Sequence, residues 1–105
     1  MKGINKRDVN LLLNKFNTLF VNRKKDILKI AKALSNEKRL DLIDLSDGRL
    51  ILKDMIEQLG INNNATYKHK KVFEDLPEHI RIISKIKKGK TVKYVKNYDY
   101  ILIAL

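Results

Sequence analysis

The sequence predicts a mainly α fold that closes in a small β-hairpin, an α+β arrangement, and three observations carry it. Apolar residues recur at spacings of three and four through most of the first 75 positions. Residues suited to helix caps and stops interrupt that pattern at short intervals. After Pro77 the pattern changes to β-branched alternation, broken once by Lys87-Lys88-Gly89-Lys90.

The first segment, residues 8–22, spaces Val9, Leu12, Leu13, Phe16, Leu19 and Phe20 as the stripe of an amphipathic helix, with Asp8 suited to cap it. A second helix is expected over 23–34, with Ile27, Leu28, Ala31 and Leu34 on one face. Ser35 or Asn36 caps a third, Glu37 to Leu45, and Glu37 in its first turn suits the positive end of the helix dipole. Ser46-Asp47-Gly48 has the composition of a turn. Leu50-Ile51-Leu52 fits either a short strand or the entry to a fourth helix.

That fourth helix, Lys53 to Leu59, buries Met55, Ile56 and Leu59 and stops at Gly60, which tolerates the left-handed conformation of a C-cap. Asn62, Asn63 and Asn64 form a turn and cap, and a fifth helix runs from about Ala65 to Asp75. Pro77 ends it, since the residue before proline is pushed out of helical geometry. Residues 80–86 and 91–95 then read as the two strands of a hairpin with a lysine-bearing tip. The apolar tail, YDYILIAL, follows.

Composition bounds what such a chain does. At 105 residues it fits one domain, residues 1–105, and 44% apolar residues suffice for a core. No apolar run approaches the roughly 18 residues of a membrane span, and MKGINKRD lacks the apolar stretch of a signal peptide. A cytoplasmic protein without membrane attachment is the expectation. Cysteine is absent, which removes disulfides and thiolate metal sites. The net charge is +11 and unevenly placed. Residues 1–39 carry 11 Lys/Arg against 3 acids, residues 40–67 carry 2 against 5, and residues 68–105 carry 10 against 4. Basic flanks around an acidic middle suit a polyanionic partner.

The order of elements, a helix, a Gly-Ile-asparagine turn, a basic helix and a basic hairpin, is that of a helix-turn-helix (53–75) followed by a wing (80–95). The second helix of such a unit enters the major groove of a duplex, and the wing lays its lysines along neighbouring phosphates. Residues 33–43, ALSNEKRLDLI, resemble the opening of ArsR-type winged helix-turn-helix regulators, with Ser35, Asn36, Arg39 and Leu40 at matching positions. Residues 52–73, LKDMIEQLGINNNATYKHKKVF, resemble their helix-turn-helix, and residues 80–95 their wing. The resemblance spans about residues 27–96.

What it implies is a sequence-specific regulator of transcription that binds double-stranded DNA as a homodimer. Asn63, Asn64, Thr66, Tyr67, Lys68, Lys70 and Lys71, with Lys87, Lys88 and Lys90 of the wing, form the expected DNA-contacting set. Val9, Leu12, Leu13, Phe16, Leu19 and Phe20 of the N-terminal helix (1–22), with Ile101, Leu102 and Leu105 of the tail, form the expected dimer interface. Two other readings suit the same residues: a partition or chromatin-coating protein that spreads on DNA, and a winged-helix module that binds protein or RNA.

Two registers of the fifth helix are compatible with its sequence. In one, Thr66, His69 and Phe73 face the core while Lys70 snorkels. In the other, Ala65, His69, Val72 and Leu76 face inward and Thr66, Tyr67, Lys70 and Lys71 face outward, and this second register is the expected one. No metal and no cofactor is expected. The paired cysteines of the family's metal sensors are replaced by Leu50, Ile51 and Leu52, and the two histidines, His69 and His79, lack further ligands at suitable spacing. No nucleophile triad or phosphate-cradling glycine loop can be assembled, so an enzyme is not expected.

Overall fold

Four helices and five strands follow one another along residues 17–105, the part of the chain that the computed structural model describes. Strand β1 (Thr18–Val21) leads into helices α1 (Lys24–Leu34) and α2 (Glu37–Leu45). Strand β2 (Asp47–Ile51) and helices α3 (Leu52–Leu59) and α4 (Asn63–Glu74) come next. A single 3-10 turn (Glu78–Ile80) precedes β3 (Ile83–Lys88), β4 (Thr91–Lys96) and β5 (Tyr100–Ile103). No helix among the described residues is long and apolar enough to cross a membrane.

Local chemistry accounts for the helix ends. The Asn36 side chain accepts a hydrogen bond from the Arg39 backbone N–H at 3.2 Å, and Asn62 accepts from Ala65 N–H at 2.8 Å. Each bond satisfies one orphan donor of a first turn, a contribution of about 1 kcal/mol. Of the three asparagines, Asn62 is therefore the cap, and Asn63 and Asn64 already belong to α4. Gly60 ends α3 at φ 63°, a conformation that a side chain would oppose, and its N–H donates back to Ile56 O. The opposite ends of two helices are closed by adjacent basic residues of α2. Lys38 Nζ donates to Leu59 O at 3.0 Å, while Arg39 donates to Ala33 O at 2.8 Å and Lys32 O at 2.9 Å.

The core gathers one face from each helix. Ile30, Ala33, Leu42, Met55, Leu59, Phe73 and Leu76 meet Ile80, Ile82, Ile83 and Tyr94, with Leu19 and Val21 of β1 at one side. On α1 the buried positions are Asp26, Ile30 and Ala33, flanked by Ile27 and Leu34. The expected face that included Leu28 and Ala31 is turned away, and both are exposed. Asp26 tolerates burial because His79 Nε2 lies 3.0 Å from its carboxylate.

The hairpin forms as expected from its turn. Gly89 adopts φ 57° at the first of two turn positions between Lys88 and Thr91, where a tight two-residue loop needs a positive φ. β2 joins as a third strand, giving the antiparallel order β2-β4-β3. Asp47 and Gly48 are thus part of a strand and do not form the expected turn. The register shifts between Asp47 and Ile51, and Gly48 at φ 83° absorbs the irregularity. Leu50 and Ile51 lie in that strand and Leu52 begins α3, so both expected roles of this segment are realised in succession.

The N-terminal helix expected to reach residue 22 is corrected at its end. Thr18–Val21 is a strand, paired in parallel with β5 through Leu19↔Ile101 and Phe20↔Leu102. Thr, Leu, Phe and Val are all comfortable on a pleated surface, and a ready-made apolar partner arrives with the tail. Asn17 ties the two ends together: its side chain donates to Asn97 O at 2.7 Å, and its carbonyl accepts from Asp99 and Tyr100 N–H. Val9, Leu12, Leu13 and Phe16 lie outside the described residues.

Candidate functional site

Helix α4 presents a polar, basic outer surface, and which residues it presents depends on its register. Thr66 is 3% exposed and Phe73 2%, with Leu76 buried beyond the helix end. The register with Thr66 and Phe73 inward is therefore adopted, and the expected one is not. Burying Phe73 removes far more apolar area from water than burying Ala65 or Val72 could. Thr66 follows it inside because its hydroxyl donates to Asn62 O at 2.8 Å and reaches the interior already satisfied. Thr66 consequently drops out of the outward-facing set. Asn63, Asn64, Tyr67, Lys68 and Lys71 remain exposed, Tyr67 at 64%. Lys70 is half-buried.

A guanidinium ties α4 to the other helices. Besides closing α1, Arg39 places its Nη1 3.3 Å from His69 Nδ1, so a single side chain of α2 joins α1 and α4. His69 accepts this bond only as the neutral imidazole. Burial, and then the Arg39 charge, lower its pKa from the ordinary 6.5. A base with a lowered folded-state pKa binds its proton more readily in the unfolded chain. Its contribution to stability is complete above about pH 6.5 and is lost as the pH falls through the folded-state value. Melting temperature should fall on acidification from pH 7 to 5, and less so in a His69→Gln variant. Parallel melting curves of the two proteins over that range would remove His69 from this role.

The wing stands against the far end of the same helix. Tyr94 of β4 donates to Glu74 Oε1 of α4 at 3.4 Å, and burial followed by the Glu74 charge raise its pKa, so the phenol stays a neutral donor. Arg81 reaches back to Leu76 O at 2.9 Å, and the Asn97 side chain donates to Arg81 O and Ser84 Oγ. The strand register sorts the lysines. Lys87 pairs with Val92 and Lys85 with Tyr94, on the face that turns toward α4, while Lys88 pairs with Thr91 on the opposite face. Lys90 occupies the turn, and Lys85, Lys87, Lys88 and Lys90 are all exposed. Lys85 was not anticipated, although the alternation of β3 puts it beside Lys87. At the wing's other margin, Asp47 accepts from the Arg49 N–H and guanidinium, which lower its pKa.

A second group missed in the sequence is Lys29 and Lys32 of α1. They face Tyr67, Lys68 and Lys71 of α4 across a cleft of about 420 Å³. Their spacing on α1 marks one face, but nothing local indicates that α4 lies opposite. Of the expected dimer residues within the described chain, Leu19 is 6% exposed and packs inside its own core, which corrects its assignment to a seam. Phe20 and Leu105 are exposed, and Ile101 and Leu102 are half-buried. Among the described residues, no group of three or more His, Asp or Glu side chains is placed to hold a metal ion.

A core shared by four helices, the last two of them a helix-turn-helix (α3 and α4), and a three-stranded ribbon docked at the end of α4 together define a winged helix-turn-helix. Solved structures similar to it include the following two. NolR from Sinorhizobium fredii superposes with a TM-score of 0.59 at 14% identity, over 94% of this chain and 84% of that one. The homodimeric winged helix-turn-helix DNA-binding domain (fragment 1–100) of a possible ArsR-family transcriptional regulator from Mycobacterium bovis gives 0.58 at 18% identity, over 92% and 76%. At these identities the likeness establishes the winged helix-turn-helix fold. No protein-family model matches the chain, and no curated protein matches it.

Proposed function

We propose that this chain is a sequence-specific, double-stranded DNA-binding regulator of transcription that acts as a homodimer, by binding and not by catalysis. The observation that carries the reading is the outer face of α4. Asn63, Asn64, Tyr67, Lys68 and Lys71 are uncovered together on one helix, and the hairpin that bears the exposed wing lysines is tied to the far end of that helix through Tyr94 and Glu74. The net charge of +11 and the winged fold shared with a DNA-binding domain support it. Asn63 and Tyr67, near the start of α4, are the candidate base readers. Lys68, Lys71, Lys87, Lys88 and Lys90 neutralise phosphates and set affinity without reading sequence.

The homodimer brings two α4 helices to successive major grooves, roughly 34–36 Å apart. Its seam is proposed on the outer face of the β1–β5 pair, where Phe20, Leu102 and Leu105 leave apolar surface, and the apolar residues Val9, Leu12, Leu13 and Phe16 of the preceding sequence are proposed to join it. The fragment from Mycobacterium bovis is homodimeric, which supports a dimer here.

A salt titration tests the reading. On a duplex carrying the site, log K should fall against log salt with a slope of about −5 or steeper, as expected when several phosphates per protomer are neutralised. Footprinting on the DNA upstream of the protein's own coding sequence should show a bounded site of about 20 base pairs, two grooves wide. A flat salt dependence would defeat the mechanism. A footprint that lengthens with protein concentration would replace the regulator by a DNA-coating protein.

A further inference from the structure

The cleft between α1 and α4 is more than a gap between basic helices. Lys29 and Lys32 line one wall, and Lys68 and Lys71 the other. Among the described residues, the only carboxylate lining it is Asp75, which lies 3.5 Å from the Lys71 ammonium. Its apolar lining is half-buried Val72 and buried Leu76, joined by the exposed ring of Tyr67. At about 420 Å³ it falls within the range of small-molecule sites, roughly 300–1,000 Å³.

These features select a ligand class. Four ammoniums disfavour any cation and reward an anion. An apolar floor and a phenol ring reward a flat hydrocarbon body, which an inorganic anion does not have. Sugar and phosphate of a duplex would meet the lysines but leave that floor unfilled.

We propose that the cleft between α1 and α4 binds a small aromatic anion, a carboxylate, sulfonate or phosphate ester on one or two fused rings, and that its occupation weakens duplex binding. The anionic group lies among Lys29, Lys32, Lys68 and Lys71, and the ring lies against Val72 and Leu76. Lys68 and Lys71 then face the ligand and no longer the phosphates. The regulatory half rests on the reading of α4 as the DNA-facing helix, whereas the site itself does not.

The test uses the full chain and the fluorescent probe 8-anilinonaphthalene-1-sulfonate. Saturable binding of one probe per chain is expected. Affinity should drop about tenfold or more in Lys29→Glu/Lys32→Glu, equivalent to about 1.4 kcal/mol. It should drop similarly in Val72→Trp, which fills the floor, with thermal melts confirming that both variants are folded. The uncharged analogue N-phenyl-1-naphthylamine should bind at least about tenfold more weakly than the sulfonate. Unsaturable binding, equal affinity in both variants, or equal binding of the neutral analogue would each overturn the site. With a duplex present, saturating probe should lower duplex affinity in the wild type and not in Val72→Trp. Probe binding without that effect overturns the regulatory half. A chain that binds probe but no duplex sustains the site and defeats the regulator reading.

Discussion

Reversing two charges, Lys68→Glu with Lys71→Glu, should reduce duplex affinity by about 100-fold or more at moderate salt while leaving the fold intact. Each substitution removes a cation–phosphate contact and sets a carboxylate against the backbone, so the loss is the sum of a lost attraction and a new repulsion. Stability should hardly change, because both side chains are exposed. The one ion pair lost, Lys71 with Asp75 at 3.5 Å, lies at the surface with side chains 59% and 63% exposed. Such pairs contribute about 0–1 kcal/mol. Fluorescence anisotropy on a labelled duplex and a thermal melt read the two quantities separately. A double variant that binds as tightly as the wild type would take α4 out of the interface and with it the proposed function.

Arg39→Ala should be among the most destabilising substitutions outside the apolar core, costing about 3 kcal/mol. The guanidinium serves three acceptors on two other helices, Ala33 O, Lys32 O and His69 Nδ1. Its removal leaves the last carbonyls of α1 partly orphaned and frees α4 from α2. Arg39→Lys should recover only part of the loss, since an ammonium on a flexible stem cannot span acceptors that a planar fork meets together. Urea unfolding of the three proteins measures this, and a double-mutant cycle with His69→Gln isolates the arm that reaches α4. A cost under about 0.5 kcal/mol for Arg39→Ala, the scale of an unremarkable surface change, would show that the helices are held by packing alone.

The two results bear on one another. The residues of α4 proposed to face DNA are exposed, whereas those that aim the helix are polar and run from buried Tyr94 through half-buried Arg39 and His69 to exposed Glu74. Arg39, His69, Tyr94 and Glu74 connect α4 to α2 on one side and to the wing on the other. Weakening those links should lower duplex affinity even though none of the four is proposed to meet DNA.

Where chain chemistry acts over a few residues, the sequence was a sufficient guide. Asn36 as a cap, Glu37–Leu45 as a helix, Gly60 as a left-handed stop and Lys87–Lys90 as the end of a hairpin all follow from groups no more than four positions apart. The winged arrangement was legible too, because the order of those elements leaves few ways to bury their apolar faces. Exposure of Asn63, Asn64, Tyr67, Lys68 and Lys71 on α4 and of Lys87, Lys88 and Lys90 on the wing was likewise within reach.

Three features were not legible, each for the same reason. The strand Thr18–Val21 exists because β5 comes back from the other end of the chain to pair with it, and apolar spacing near the N-terminus carries no trace of that partner. Helix α4 turned Thr66 and Phe73 inward because the pocket left by the other elements takes a phenyl ring, a preference set by volume and not by spacing. Lys29 and Lys32 became part of a shared cleft only when α1 and α4 were set side by side. The sequence by itself determined the stop at Gly60, the hairpin turn at Gly89 and how much positive charge the chain carries, since such turns and charges act locally. The tertiary structure alone decided which face of α4 looks outward and which distant residues meet, since burial is decided by what the rest of the chain leaves uncovered.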